Sequence, residues 1–331
     1  MKPVYVPNYY SDFRCIASAC RHTCCVGWEI DVDEEALRRY DAVDGIMGER
    51  LRENIDREAD PPCFRLDEQE RCPFLNENGL CDLITELGED SLCHICADHP
   101  RFRNILYDRV ELGLGLCCEA AASLILGQNE PLRILRLPDH LAARERTAHE
   151  PTTSPDPITD ALLDTREALL SMVCDRTKPL ADRIRHMLTS LDIDLSMTES
   201  ETLTSYPALS EFLRGMERLD PAWDGCLDAL AGLTGSPMVE LDGEDAVPYE
   251  QLIGYFLYRY MTAEDDGRPD LISVRVILAI LSAGIIHAIH RATGGEDLSF
   301  LCEVARMYSS EIEYSEENLE RLMDEIEDAL Y

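Results

Sequence analysis

The stretch Phe13-Arg14-Cys15-Ile16-Ala17-Ser18-Ala19-Cys20-Arg21-His22-Thr23-Cys24-Cys25-Val26-Gly27-Trp28-Glu29-Ile30 places four thiols within eleven residues. The spacing is Cys15-x4-Cys20-x3-Cys24-Cys25. Thiols so close let one loop present two sulfurs to one metal, while thiols far apart draw separate loops together. Working outward, Cys63, Cys72-Pro73-Phe74-Leu75, Cys81 and Cys93-His94-Ile95-Cys96 follow, and Cys117-Cys118 closes the region. Eleven of the fourteen cysteines lie at or before Cys118. In a reducing compartment such density points to metal rather than to disulfides.

The candidate metal ligands are Cys15, Cys20, Cys24, Cys25, Cys72, Cys81, Cys93, Cys96 and Cys117. Four thiolates satisfy a tetrahedral zinc and equally a [4Fe–4S] cluster, so the residues alone leave both open. His22, His94 and His99 read as hydrogen-bonding neighbours or as further ligands. Cys174, Cys226 and Cys302 stand alone in helical patterns and read as small core residues.

The 331 residues carry a net charge of −35, with only two lysines, Lys2 and Lys178. No basic stripe appears, which argues against a nucleic-acid partner. The longest apolar run, Val276 to Ile286, is about half a membrane span, so the sequence predicts a buried core helix there and no membrane partner. Met1-Lys2-Pro3-Val4-Tyr5 runs into polar Asn8 and Asp12 without an apolar h-region, which sets the expectation of a cytoplasmic protein.

The pattern predicts a mainly α fold: an irregular, cysteine-rich, metal-binding N-terminal region packed on a helical C-terminal body. Its expected boundaries are 1–143 for the cysteine-rich region, 144–158 for a linker and 159–331 for the helical domain. The linker holds three prolines and a Thr/Ser cluster. Helices are expected over 34–43, 45–57, 158–175, 179–191, 199–218, 248–263, 270–292 and 315–330. One more, across Val110 to Leu126, is expected to cover the cysteine site. Thr198-x-x-Glu201 reads as a capping box. Tyr255, Phe256, Tyr258 and Tyr260 crowd one helix, as core packing or as the lining of a substrate groove.

These residues resemble the flagellin lysine-N-methylases, in a wider group with a CxxCxxCC-type cysteine cluster. The resemblance rests on Phe13-x-Cys15, Ala19-Cys20 and Thr23-Cys24-Cys25-x-Gly27-Trp28-x-Ile30-x-Val32-Asp33. It continues through Cys72-Pro73-Phe74-Leu75, Gly79-Leu80-Cys81, Leu87-Gly88-Glu89, Leu92-Cys93-x-x-Cys96 and His99-Pro100-Arg101. Leu114-Gly115-Leu116-Cys117 is its last piece, where Cys118 replaces the family's proline before Glu119 and leaves Cys117 as the matching cysteine. The resemblance covers roughly residues 5–127. It implies methyl transfer from S-adenosylmethionine to lysine side chains of flagellin, and a [4Fe–4S] cluster.

The chain departs from other methyl-transfer patterns. Gly113-Leu114-Gly115 lacks the third glycine of a dinucleotide-type fingerprint. The radical-type Cys-x3-Cys-x2-Cys is absent, because Cys25 follows Cys24 directly. Lysine methylation needs a neutral amine and hence a base or a dry pocket. Glu29, Asp33 and Glu119 are candidates by position. Two other functions fit the same residues: a redox-sensing or metal-binding protein without catalysis, and a zinc staple for a helical interaction domain.

Overall fold

The computed structural model describes residues 2–145, 157–194, 200–238, 241, 246–262, 271–295 and 297–331. The chain forms two compact units, Arg14–Arg101 and a larger one made of Met1–Phe13 with Phe102–Tyr331. Strand β1 (Val4–Pro7) belongs to the larger unit. The cysteine-rich unit then contributes α1 (Glu34–Asp41), α2 (Gly45–Glu53), β2 (Ile55–Asp56), β3 (Cys63–Phe64), α3 (Asp82–Leu87) and α4 (His94–Asp98).

Local chemistry explains these short elements. Asp33 caps α1 by accepting the Ala36 N–H at 2.9 Å. Glu34 and Glu35 fill the first turn and Arg38 and Arg39 the last, each favourable to the helix dipole. Ala36 and Tyr40, four residues apart, turn inward, as do Met47 and Leu51 on α2. They join Ile30, Val32, Ile55, Phe64, Phe74 and Leu83 around the buried thiols Cys72 and Cys93. This is a thin core, in which bound metal would add to the folding free energy.

The larger unit continues with β4 (Arg101–Ile105), β5 (Val110–Leu114), α5 (Glu119–Leu126), β6 (Ile134–Arg136) and α6 (Asp139–Glu145). Helices α7 (Pro157–Val173), α8 (Leu180–Ser190), α9 (Glu201–Thr204), α10 (Tyr206–Arg214) and α11 (Trp223–Ala231) follow. Then come α12 (Ala246–Tyr260), α13 (Leu271–Ala292), α14 (Leu298–Tyr308), a π-helical turn Ser309–Glu313 and α15 (Glu316–Leu330). The four strands form one sheet in the order β4-β5-β1-β6. β1 runs parallel to β5, with Tyr5 opposite Glu111, and antiparallel to β6. The fold is mainly helical, with α13 packed among α11, α12, α14 and α15.

α13 is 22 residues long and apolar enough to cross a membrane by length and composition, yet 83% of its most apolar window is buried inside the fold. It is longer than the Val276–Ile286 run because Arg275 also turns inward, donating to the Thr262 carbonyl at 2.6 Å. Polar staples recur elsewhere: Glu250 takes both Arg176 and Arg183, at 2.8 and 2.7 Å.

Several sequence expectations need correction. The helix expected over 110–126 is β5, a turn and the shorter α5. All five β5 residues are buried, and an apolar run buried on both faces does not reveal its period. The helix expected over 199–218 is α9 and α10, broken at Ser205, where Pro207 begins a new helix. Thr198 lies outside the described residues, and the α9 cap is Ser200, which accepts the Leu203 N–H. Of the stretch 144–158, α6 takes 144–145 and α7 takes 157–158, while 146–156 lie outside the described residues. The compact units themselves part at 13/14 and 101/102.

Candidate metal centre

Backbone pairing brings the cysteine segments together. The Cys72 N–H donates to the Cys25 carbonyl at 2.8 Å, and the Gly27 N–H to Glu70 at 3.1 Å. Val26 and Arg71 form an antiparallel bridge between these bonds. Gly27 holds a φ of +88°, a left-handed conformation open to glycine, which turns the chain away after the Cys24-Cys25 pair. A second bridge joins Leu75 to Cys81 across the Asn76–Gly79 turn. Cys93 lies at the N-cap position of α4, which places Cys96 one turn further on, inside the helix.

Cys72 and Cys93 sit in one apolar cluster, and Cys25, Cys81 and Cys96 pack against it; Cys25, Cys81 and Cys93 each act on the Cys72 thiol, and Cys93, Cys25 and Cys72 on that of Cys96. Cys24 joins them by a hydrogen bond to Cys25. That bond, together with Thr23 and the Arg71 guanidinium, outweighs burial and holds the Cys25 thiol down to about 6. Cys93 and Cys96 are joined by a side-chain hydrogen bond. The hydrogen bond from Cys96 lowers Cys93, and the same bond with burial raises Cys96. Burial pushes Cys72 up to about 12, with the neighbouring thiols adding to the rise. Burial also raises Cys81. Among the described residues, no three Cys, His, Asp or Glu side chains stand in metal-ligating geometry. The thiols share an apolar surrounding without forming an ordered ligand sphere; thiolate is the donor type that a soft metal takes.

The surroundings fix this shell. Arg50 donates to Asp82 at 2.6 Å and to the Pro73 carbonyl, and lies over the Phe74 ring at 5.1 Å. It thereby ties the residues next to Cys72 and Cys81. The Trp28 indole donates to the Cys24 carbonyl at 2.6 Å and its ring lies 5.8 Å from His99. Burial, with Arg101, lowers His99 to about 4, so this imidazole is neutral at pH 7. Asp33 also accepts the His94 N–H at 2.7 Å. Burial would raise its carboxyl, but the His94 and Ala36 donors and Arg39 together hold it below the usual carboxylate range. Both Asp33 oxygens are thus engaged in capping, which removes it as a free base. Tyr40 turns inward from α1, 1% exposed, with its hydroxyl at the Cys93 backbone.

Cys15 is exposed, and its sulfur accepts the Ala17 N–H at 3.4 Å. Cys20 is half-buried beyond the same short turn. Cys63 faces Glu29, Asp31 and Asp56, and burial with Glu29 raises its thiol. Cys117 and Cys118 belong to the larger unit. There burial pushes Cys117 up to about 12, beside Tyr314 and Arg259. Glu119 opens α5 in the same unit.

Tyr255 and Tyr258 are each 1% exposed and serve as core, not as the lining of a groove. Tyr255 and Tyr260 both donate to Glu313, at 2.9 and 2.8 Å, and Arg259 donates to Tyr255 at 2.7 Å. Sequence reading gave no sign of Glu313, because a π-helical turn aims it inward. Cys226 and Cys302 are buried in the larger unit's core and Cys174 packs partly buried against it. Serine at Cys226 or Cys302 is expected to cost about 1–3 kcal/mol for a poorly satisfied hydroxyl. Thermal melting and metal analysis check this: melting falls and metal content stays that of the parent.

Comparison with known proteins gives two kinds of relative. The chain is 29% identical to the lysine-N-methylase of Salmonella choleraesuis over 187 residues, 53% of this chain and 42% of the relative. The Salmonella typhimurium lysine-N-methylase is likewise 29% identical over 189 residues. The flagellar biosynthetic protein FliU of Salmonella muenchen is 30% identical over 154 residues, which cover 86% of it and 44% of this chain. The chain belongs to the family of the flagellar biosynthetic protein FliU. It spans less than half the length of the lysine-N-methylases it matches. No protein-family model matches, and no solved structure does.

Proposed function

We propose that this family member is a protein-lysine N-methyltransferase that uses S-adenosylmethionine, carries a [4Fe–4S] cluster, and acts on flagellin. The observation that carries the activity is the similarity to two lysine-N-methylases over about half of this chain. The FliU relative's name supports a flagellar substrate. The convergence of Cys25, Cys72, Cys81, Cys93 and Cys96 supports the metal centre. Four of these five would hold the cluster, with zinc as the competing occupant of the same sulfurs. When bound, such a cluster supplies a Lewis-acidic or one-electron centre.

In the transfer itself the lysine nitrogen forms the new N–C bond while the donor's S–C bond breaks, and the amine proton passes to a base. Both Asp33 oxygens accept backbone N–H groups, so of the candidates by position, Glu29, Asp33 and Glu119, the step is assigned to Glu29, which lies next to Trp28 in the chain and beside Cys63. The test is incubation of anaerobically prepared protein with methyl-labelled S-adenosylmethionine and purified flagellin. Label is expected on flagellin lysines and is expected to fall about 100-fold or more in Glu29→Gln. No label on flagellin from protein with its metal bound would overturn the enzymatic reading and favour a redox or binding role.

A further inference from the structure

A second chemical cluster lies in the larger unit, around Arg259 at the end of α12. The Arg259 Nη1 donates to the Tyr255 hydroxyl at 2.7 Å and stands 3.4 Å from Glu313 Oε1. Glu313 has no exposed side-chain surface and is itself taken up by the hydroxyls of Tyr255 and Tyr260. A purely structural ion pair in this fold is built differently. Glu111 engages both terminal nitrogens of Arg166, fork to fork. Among the described residues, Arg259 donates through Nη1 alone, so its Nε and Nη2 donors have no acceptor.

The surroundings aim those donors. The centroids of Phe102, Tyr260 and Tyr314 lie 4.8, 5.4 and 5.2 Å from the guanidinium carbon. Rings packed over a guanidinium occupy its faces and leave hydrogen bonding to its edge. Arg259 keeps 13% of its side chain exposed and Tyr314 beside it is 44% exposed, so the cluster reaches the surface. Gly115 keeps the approach narrow and bare. A Cβ there would stand 2.3 Å from the Tyr314 hydroxyl and 3.3 Å from Arg259 Nη1.

We propose that Arg259 binds the carboxylate of a small ligand through its Nε–Nη2 fork, with Glu313 as the residue that positions the guanidinium. Resting on the methyl-transfer reading above, the ligand is the methyl donor, held by the carboxylate of its methionine end. A planar fork of two parallel N–H donors matches the two oxygens of a carboxylate, and a lysine ammonium does not.

The experiment measures binding of S-adenosylhomocysteine and of its decarboxylated analogue by calorimetry, on the anaerobically purified full chain and on Arg259→Lys. Lysine keeps a positive charge beside Glu313 and loses the fork. The parent is expected to bind S-adenosylhomocysteine about 100-fold more tightly than the analogue. Arg259→Lys is expected to narrow that gap to about 10-fold or less, by weakening S-adenosylhomocysteine and leaving the analogue unchanged. Equal affinity of the parent for both probes overturns the proposal, leaves the donor reading standing, and depends on no variant. An undiminished gap in Arg259→Lys overturns the assignment to Arg259. A parent that binds neither probe overturns the donor reading beneath it, and the proposal with it. If Arg259→Lys does not fold, Arg259→Met with Glu313→Gln removes both charges and carries the same comparison, with the same outcomes.

Discussion

Serine at Cys72 or Cys93 is expected to remove nearly all bound metal and to loosen the whole Arg14–Arg101 unit. Both thiols are buried, at 7% and 0% exposure, and both belong to the short apolar core of that unit. Two effects compete in such a variant. The packing loss is small, because serine is nearly isosteric and its buried hydroxyl costs about 1–3 kcal/mol. The ligand loss is large, because serine supplies neither the soft sulfur nor the ready negative charge. Metal bound to a thin core contributes on the order of 10 kcal/mol to its folding. The second effect dominates, so the variants should lose the near-ultraviolet signal of Trp28 and become protease-sensitive within 14–101. Cys63→Ser should keep its metal, since that thiol faces carboxylates rather than the other sulfurs. Metal analysis and limited proteolysis on the same samples decide it. Full metal occupancy in Cys72→Ser and Cys93→Ser would show that these sulfurs are core thiols only.

Alanine at Glu111 is expected to destabilise the larger unit by about 3–5 kcal/mol. Glu111 is 0% exposed and takes both terminal nitrogens of Arg166, at 2.6 and 2.8 Å. Arg166 is itself buried, also donates to the Met261 carbonyl at 3.2 Å, and lies 5.2 Å from the Tyr258 ring. The pair ties strand β5 to α7 and to the end of α12. Removing the carboxylate strands a guanidinium that water does not reach, and that penalty exceeds the lost attraction. Thermal melting should fall by roughly 10 °C. The double variant Glu111→Leu with Arg166→Met removes both charges and should recover most of the loss. A single Glu111→Ala that melts within about 1 kcal/mol of the parent would contradict this, because only exposed pairs are worth so little.

The sequence made the helices with strong periodicity legible. Leu271–Ala292 and Glu316–Leu330 fall within a residue of their expected bounds. Periodicity failed where burial erased it, as in β5, whose residues are buried on both faces and read like part of a helix. It also passed over α11 and α14, which are short and lie between irregular segments. For the site, residue type and spacing marked the cysteines as a set. Chain pairing decided which of them meet: the Cys72-to-Cys25 hydrogen bond and the Leu75–Cys81 bridge depend on turns spread over fifty residues.

Iron, acid-labile sulfide and zinc, measured together on chain purified without oxygen, test the centre most directly. About four irons and four sulfides per chain, with a brown colour that bleaches on reduction, are the expected result. Zinc without sulfide, or a colourless chain that takes up no metal on reconstitution, would contradict it.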